Sequence, residues 1–462
     1  MQFWGFMTVA TTKGTKTLQY QRALALGEVP RYTAGLQVRL KSGVRVYLAL
    51  SALELAFYFE EDLALHYDRE GRLTKVARPN QYHRRGLSHR GLSTRIRSVE
   101  EGGGIERHAL SAEDTDALVK AAHEKVTPVW EELNAGPITL EDAKPGPAQA
   151  LAEIVPSVAR AAEFDLKVAR RDAEKFHSIY GRVAVLPPDQ YNSLVLQATE
   201  GCAYSCCLFC ELYSGVFYGR KTADQFSRHL QDAIAFHGEA LCARRSVFLG
   251  EANALTLPQG DLVRIFGVLR DHFEFPPHGD EHVPANWWLG HKTRFDGVST
   301  FLDAFTGPHR TPQEFEELHN LGLRRVYLGL ETGDDNLLKW LCKPATSASI
   351  AQCVTSLKEV GLVVGVIALL GAGGHDFAEA HVRETARLIN ELPLGRNDFI
   401  YFSPLVIYPN GRYAEQTKAL KVAALSAAEM RSQEQAIRDA LHFDEQRGRP
   451  HVGHYELESF VY

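Results

Sequence analysis

Four thiols fall within nine residues of this chain: Cys202, Cys206, Cys207 and Cys210. Thiolates are soft ligands suited to iron–sulfur clusters and to zinc. Four crowded on one loop cannot pair with one another as disulfides without strain. In a reducing compartment that crowding reads as a metal site. The remaining cysteines, Cys242, Cys342 and Cys353, are scattered singly and read as small buried hydrophobes, not as a second cluster. A closed structural zinc needs four ligands, usually two Cys pairs or Cys with His, and the chain has no second C-x-x-C. Three cysteines on one loop can instead hold three irons of a [4Fe–4S] cluster and leave the fourth iron open for a small ligand. Spacing alone leaves two triples open. Cys202, Cys207 and Cys210 give C-x4-C-x2-C, and Cys206 in place of Cys207 gives C-x3-C-x3-C; Phe209 precedes the last cysteine in both.

Such a loop needs an element to hold it. It follows an apolar run at 193–198, and from there strand-like runs alternate with amphipathic helical stretches. The patterning predicts strands at 193–198, 246–250, 297–301, 325–330, 362–370 and 399–403. Helices are predicted at 222–237, 258–272, 312–321, 345–360 and 375–391. Strict alternation implies parallel strands linked by crossover helices. Six units are fewer than a full eight-unit barrel needs, so pattern alone leaves a partial open barrel and a flat doubly wound sheet both open. In either, the cysteine loop lies at the carboxyl end of the first strand, where parallel α/β folds place their sites.

The first 190 residues read differently. Alternation around Lys41, Ser42 and Gly43 predicts a hairpin, and 63–76 repeats the pattern around Asp68 and Gly71. A basic stretch follows, with Arg78, Arg84, Arg85, Arg90, Arg95, Arg97, His83 and His89, and then Gly102, Gly103 and Gly104. Ser111 with Asp114 reads as the start of a helix running to about Leu133. A further helical pattern covers 148–177. The expected organisation is an amino-terminal α+β domain over 1–190, a core over 191–415, and a helix (426–442) with a closing edge strand (454–462) over 416–462.

Composition excludes several classes. The chain has 462 residues, 45% hydrophobic and 23% charged, which is a globular profile in two or three domains. A net charge of −6 offers no overall basic field for DNA or a membrane surface. The longest apolar run, 362–370, is far short of the ~20 residues that span a bilayer. The start lacks a positive n-region before its apolar residues, so a soluble cytoplasmic protein is expected.

The loop resembles the cluster loop of radical S-adenosylmethionine enzymes, in its Cys-x-aromatic-Cys ending after a strand and in Gly201 before Cys202. The family's commonest spacing is C-x3-C-x2-C. One branch uses C-x4-C-x2-C, which matches Cys202, Cys207 and Cys210 with Cys206 as a bystander. Other stretches agree in order. Val247 to Leu255 resembles the Gly-Glu strand end that receives the cofactor's amino group. Val326 to Asp335 is similar to a G-L-E-S/T-G-D motif, and Leu338, Lys343 and Thr346 fall as in the L-K-x-x-x-K-x-x-T helix after it. Val364 to Gly371 resembles the glycine-bearing fifth strand.

The resemblance covers about residues 190–415 and implies an α/β fold, a partial (β/α)6 TIM-type barrel with an N-terminal α+β domain. It implies a [4Fe–4S] cluster on Cys202, Cys207 and Cys210. S-adenosylmethionine would bind at the open iron, with Phe209, Gly250, Glu251, Glu331 and Gly365 as cofactor contacts. A flavodoxin- or ferredoxin-type donor would supply the electron. Cleavage would then yield a 5′-deoxyadenosyl radical that abstracts hydrogen from a small organic substrate. Cobalamin is not expected, because the first region lacks the glycine fingerprint and histidine loop of cobalamin-binding relatives.

Two alternatives stay beside this reading. An RNA-modifying enzyme of the same chemistry would use the arginine stretch as a continuous basic face on an RNA backbone, although the net charge and the absence of an RNA module disfavour nucleic acid. A non-catalytic carrier would keep the cluster loop and deliver a haem or other tetrapyrrole.

Overall fold

The structure is a computed structural model that describes residues 33–98, 103–136, 138–276, 295–305, 309–457 and 460–462. The expectations for the amino-terminal start and for Gly102 lie outside the described residues. The chain divides into two compact units, one of Met1–Tyr180, Ala233–Ala243 and Glu458–Tyr462, the other of Gly181–Asp232 and Arg244–Leu457.

The first unit is an antiparallel sheet with helices packed on it. Its strands are β1 (Ala34–Arg39), β2 (Arg45–Leu50), β3 (Glu54–Phe59), β4 (Leu63–Asp68), β5 (Leu73–Arg78), β6 (Gln81–Arg85), β7 (Gly91–Ile96), β8 (Ile105–Ala109) and β9 (Thr139–Lys144). They lie in the order β8-β7-β6-β5-β4-β3-β2-β1-β9. Period-2 alternation turns Leu36, Val38, Leu48, Phe57 and Leu65 to one face, against Val119 and Val126 of α1 (Ala112–Ala135) and Ile154 and Val158 of α2 (Pro147–Glu163). Ser111 caps α1 by accepting the Asp114 N–H, as its sequence predicts. The single helix expected over 148–177 is two, α2 and α3 (Leu166–Ile179). The break falls where Phe164 is buried and Asp165 caps α3, accepting the Val168 N–H at 2.7 Å.

This sheet also divides the arginine stretch. Neighbours along a strand point to opposite faces, and the loops between strands redirect the rest. Arg85 is buried, donating to the Ala169 carbonyl at 3.2 Å and lying over the Phe164 ring. His89 pairs with Asp116 at 2.8 Å and Arg97 with Glu106 at 3.4 Å. Arg78, Arg90 and Arg95 remain exposed. The stretch is used mostly inside its own unit.

The second unit is a parallel sheet. Its main strands are β10 (Leu194–Gln197), β13 (Val247–Gly250), β14 (Val298–Leu302), β15 (Leu323–Glu331), β16 (Val363–Leu370), β17 (Phe399–Pro404) and β18 (His451–His454), in that spatial order. The short β11 (Thr199–Glu200) and β12 (Gly219–Arg220) pair with each other, antiparallel, outside this sheet. All six successive pairings in the main sheet are parallel. The described crossovers include α4 (Ala223–His237), α5 (Gln259–His272), α6 (Pro312–Leu321), α7 (Asp335–Trp340), α8 (Ser347–Glu359), α9 (Gly374–Glu391), α10 (Arg412–Leu420) and α11 (Ala427–Asp439). This is the partial TIM-type barrel. β10, β13 and β16 are buried along nearly their whole length, which is why they read as unbroken apolar runs.

One expectation shifts. The closing strand predicted at 454–462 is instead β18, at His451–His454, paired parallel to β17. Tyr462, which belongs to the first unit, packs there against Phe176, Tyr180 and His237. No helix among the described residues is long and apolar enough to cross a membrane.

Candidate active site

The cysteine loop leaves the sheet where β10 ends. The β11–β12 ladder joins Thr199 to Arg220 and Glu200 to Gly219, so residues 201–218 form a closed excursion at the carboxyl end of the sheet. Inside it the backbone is held at several points. The Gly201 N–H donates to Glu251 Oε2 at 2.7 Å, the Leu208 N–H to the Leu341 carbonyl at 2.9 Å, and the Tyr204 hydroxyl to the Cys342 carbonyl at 2.7 Å. Leu208 and Phe209 pack into an apolar cluster with Leu337, Leu341, Leu369, Leu405 and Tyr413. From the first turn of α10, one guanidinium nitrogen of Arg412 donates to the carbonyls of both Cys207 (3.1 Å) and Cys210 (3.3 Å).

This pinning sorts the four thiols. Cys202, Cys207 and Cys210 are half-buried, whereas Cys206 is exposed. Cys207 and Cys210 are each within electrostatic reach of the other, of Cys202, and of Glu331 and Lys343. Burial pushes the Cys207 thiol up to about 12, with Lys343 pulling the other way, and burial likewise raises Cys210. Thiols so placed ionise when a cation draws them to it. The Cys202 sulfur also accepts the Ser205 N–H at 3.4 Å, a contact of the kind that would tune the potential of iron held on that thiolate. Three soft donors on one fixed loop, beside a buried ammonium, suit an iron–sulfur cluster.

Lys343 is that ammonium. It is 6% exposed and donates to Glu331 Oε1 and to the Gly329 carbonyl, both at 2.7 Å. Burial works to lower its pKa, but Glu331 beside it, with Cys207 and Asp303 nearby, holds it raised. Glu331 ends β15 at a register irregularity and takes φ 59°, a left-handed conformation uncommon outside glycine. Backbone strain of that kind collects at functional sites. Gly329 makes room for the pair: a Cβ there would stand 2.3 Å from Glu331 Oε1 and 3.0 Å from Lys343 Nζ.

Glu251 is buried with partners from its own chain. Its Oε1 accepts Gln197 Nε2 at 2.6 Å and its Oε2 accepts the Gly201 N–H. Burial raises its pKa against the pull of those two donors. Gly250, before it, meets little: a Cβ there would touch only Val195 Cγ1, at 3.9 Å. Packing among the described residues does not explain that glycine.

Two polar groups that sequence reasoning missed complete this end of the sheet. Asn253 Nδ2 donates to Asp303 Oδ2 at 2.6 Å, which fixes the amide's orientation because a carboxylate can only accept. Asn253 Oδ1 is then buried without a hydrogen-bond partner among the described residues. Lys343 was visible only as part of a motif, and Arg412 not at all. The signal that could have found Asn253 and Asp303 is position, since each follows closely the carboxyl end of a parallel strand.

Gly365 is not brought to this place. It is the third residue of β16, in register with Tyr327 of β15, and a Cβ there would lie 2.4 Å from the Tyr327 ring. Its missing side chain is filled by that ring, towards the amino end of the sheet. There the Tyr401 hydroxyl donates to Asp189 Oδ1 at 2.7 Å, and Tyr327 and Arg325 both donate to Asp189 Oδ2.

Residues 196–389 match the family model described as the Radical SAM superfamily. No curated protein matches the chain. Among solved structures, the cobalamin-dependent S-adenosylmethionine radical enzyme OxsB is similar at 16% identity and a TM-score of 0.31, over 54% of this chain and 31% of its own. Coproporphyrinogen III oxidase (HemN) from Escherichia coli is similar at 15% and 0.36, over 56% and 53%. Methylornithine synthase (PylB) is similar at 12% and 0.36, over 63% and 76%. The similarity thus spans about a third of the OxsB chain and half of HemN.

Proposed function

We propose, from the match of residues 196–389 to the Radical SAM superfamily model, that this chain is an enzyme of that superfamily, holding a [4Fe–4S] cluster on Cys202, Cys207 and Cys210 and binding S-adenosylmethionine beside it. When bound, the pair supplies reductive cleavage of S-adenosylmethionine and, through it, hydrogen abstraction from a small organic substrate. The observation that carries the reading is the sorting of the thiols: three half-buried and in electrostatic reach of one another, the fourth exposed.

The chain's own residues do the positioning. Glu251 fixes the Gly201 N–H and so the entry to Cys202, and its remaining lone pairs would be able to accept from the cofactor's ammonium. Gly250 leaves room for close approach. Lys343, held by Glu331, offers a fixed buried positive charge to a carboxylate. Phe209 seats the loop on the apolar cluster below it and helps exclude water. A low-potential donor of flavodoxin or ferredoxin type supplies the electron, in a reducing compartment such as the cytoplasm. The RNA-modifying alternative has less support, since Arg85, His89 and Arg97 are engaged within their own unit.

The test is made anaerobically on the full chain, reconstituted with iron and sulfide and then reduced. Iron per chain and 5′-deoxyadenosine are measured for the wild type, Cys206→Ala and Cys207→Ala. Iron and product in the first two and neither in Cys207→Ala is the expected result. Equal loss in Cys206→Ala would reassign the triple, and uptake of zinc alone would sink the reading.

A further inference from the structure

We propose that Arg412 is a positioning residue for the cluster loop, one that fixes the backbone at Cys207 and Cys210 and raises the reduction potential of the iron–sulfur group they hold. This rests on the cluster reading above. Arg412 lies beyond residue 389, where the family match ends. Its Nη2 donates to the Cys207 and Cys210 carbonyls at 3.1 and 3.3 Å, bridging two of the three ligand residues. Glu211, directly after Cys210, answers from the loop. Its Oε1 accepts the Arg412 backbone N–H at 3.2 Å and lies 3.9 Å from the guanidinium Nε. Loop and helix therefore clasp each other reciprocally.

The clasp is anchored from behind. Tyr413, the next residue, is buried, accepts the Gly373 N–H at 3.0 Å, and packs in the cluster that holds Leu208. The start of α10 is thus tied both to the turn after β16 and to the cysteine loop. Arg412 is no free surface arm, although its side chain is 44% exposed.

Guanidinium is always charged and planar, so two carbonyls bound by it are fixed in direction as well as distance. Reduction adds negative charge to an iron–sulfur group, and a fixed cation at its ligands favours that state. Lys343 acts on the same thiols from the buried side. Arg412 acts from the solvent side, where water screens its charge only in part.

The experiment compares the wild type, Arg412→Gln and Arg412→Lys, each as full chain reconstituted anaerobically. It measures iron per chain, the rate of iron loss to a chelator, and the midpoint potential by redox titration followed by electron paramagnetic resonance. Arg412→Gln should show a more negative midpoint and faster iron loss. Arg412→Lys should return the midpoint towards the wild type, because the charge is kept, while iron loss stays fast, because the planar fork is gone. Failure of both variants to retain iron, with wild-type unfolding temperatures, would also uphold the positioning role. Wild-type potential and wild-type iron retention in Arg412→Gln would overturn it. A wild type that takes up no cluster would instead overturn the reading beneath it.

Discussion

At the amino ends of the parallel strands, Asp189 gathers the hydroxyls of Tyr327 and Tyr401 and the guanidinium of Arg325 on one carboxylate. At the carboxyl ends, Glu331 and Lys343 form a more deeply buried pair, and the groups around them are left unfinished. Among the described residues three thiols stay outside any disulfide, Asn253 Oδ1 has no hydrogen-bond partner, and Glu331 is held at positive φ. Barrels of this type place chemistry at the carboxyl ends and stability at the amino ends. Neither end is complete, since Arg325 Nε is also buried without a hydrogen-bond partner among the described residues, but only the carboxyl end leaves soft thiol donors over. Charges that satisfy one another hold a fold together, whereas charges that leave donors and acceptors over can bind something else.

The largest effects should come from breaking one pair at each end. Removing one partner of a buried ion pair costs about 3–5 kcal/mol, because the other charge stays buried alone. Lys343→Met strands Glu331 in a buried place and should lower the denaturant midpoint of the second unit by that much, whereas Arg325 is partly exposed and keeps the Tyr327 hydroxyl and the Phe399 ring, so Asp189→Asn should lower it less. They should part company in function. Lys343→Met is expected to abolish 5′-deoxyadenosine formation, whereas Asp189→Asn should keep the wild-type rate per bound cluster. Lost cleavage in Asp189→Asn with its cluster intact would erase the distinction between the two ends.

A pH effect belongs to the carboxyl end. His381 on α9 meets Thr332 Oγ1 at 2.7 Å, just past Glu331, and burial lowers its pKa to about 4. In the unfolded chain a histidine titrates near 6.5. Between those values the unfolded chain takes a proton that the folded one refuses, so stability is lost as pH falls from about 6.5 to about 4. The whole loss is about 3 kcal/mol. His381→Gln should flatten that part of the stability curve, which urea titrations at pH 7 and pH 5 would read directly. An unchanged slope would mean that His381 charges without unfolding the turn.

Much of this architecture was legible in the sequence, and the reasons are physical. Parallel strands covered on both faces must be apolar throughout, so each predicted run fell within two residues of an observed strand. The cysteine loop was legible because four thiols so close have few structural uses. Glu251 and Glu331 stood out only through a resemblance, and nothing in the chain's pattern said that Glu251 would hold Gly201 or that Glu331 would hold Lys343. Arg412 and Tyr413 were hidden because their partners are backbone groups some 200 and 40 positions away. The break between α2 and α3 was missed because Phe164 is as apolar as a helical core residue, and only the Asp165 cap betrays it.

Two glycines sharpen the contrast with smaller effects. Gly365→Ala would drive a Cβ into the Tyr327 ring, which cannot swing away while its hydroxyl is bound to Asp189. Overpacking of that kind costs about 1–3 kcal/mol, and cofactor affinity should not change.

Gly250→Ala is the opposite case. Its new methyl would find only Val195 Cγ1 at 3.9 Å, an ordinary contact, so stability should stay within about 0.5 kcal/mol of the wild type. Gly250, placed before Glu251 at the carboxyl end of β13, has open space around it among the described residues, as a position kept clear for close approach would have. If the group that approaches is S-adenosylmethionine, Gly250→Ala weakens its binding to the reconstituted protein, measured by calorimetry, while the melting curve does not move. Undiminished binding would make Gly250 dispensable and leave Lys343 and Glu251 as the side chains to probe next for the cofactor's fit at this end.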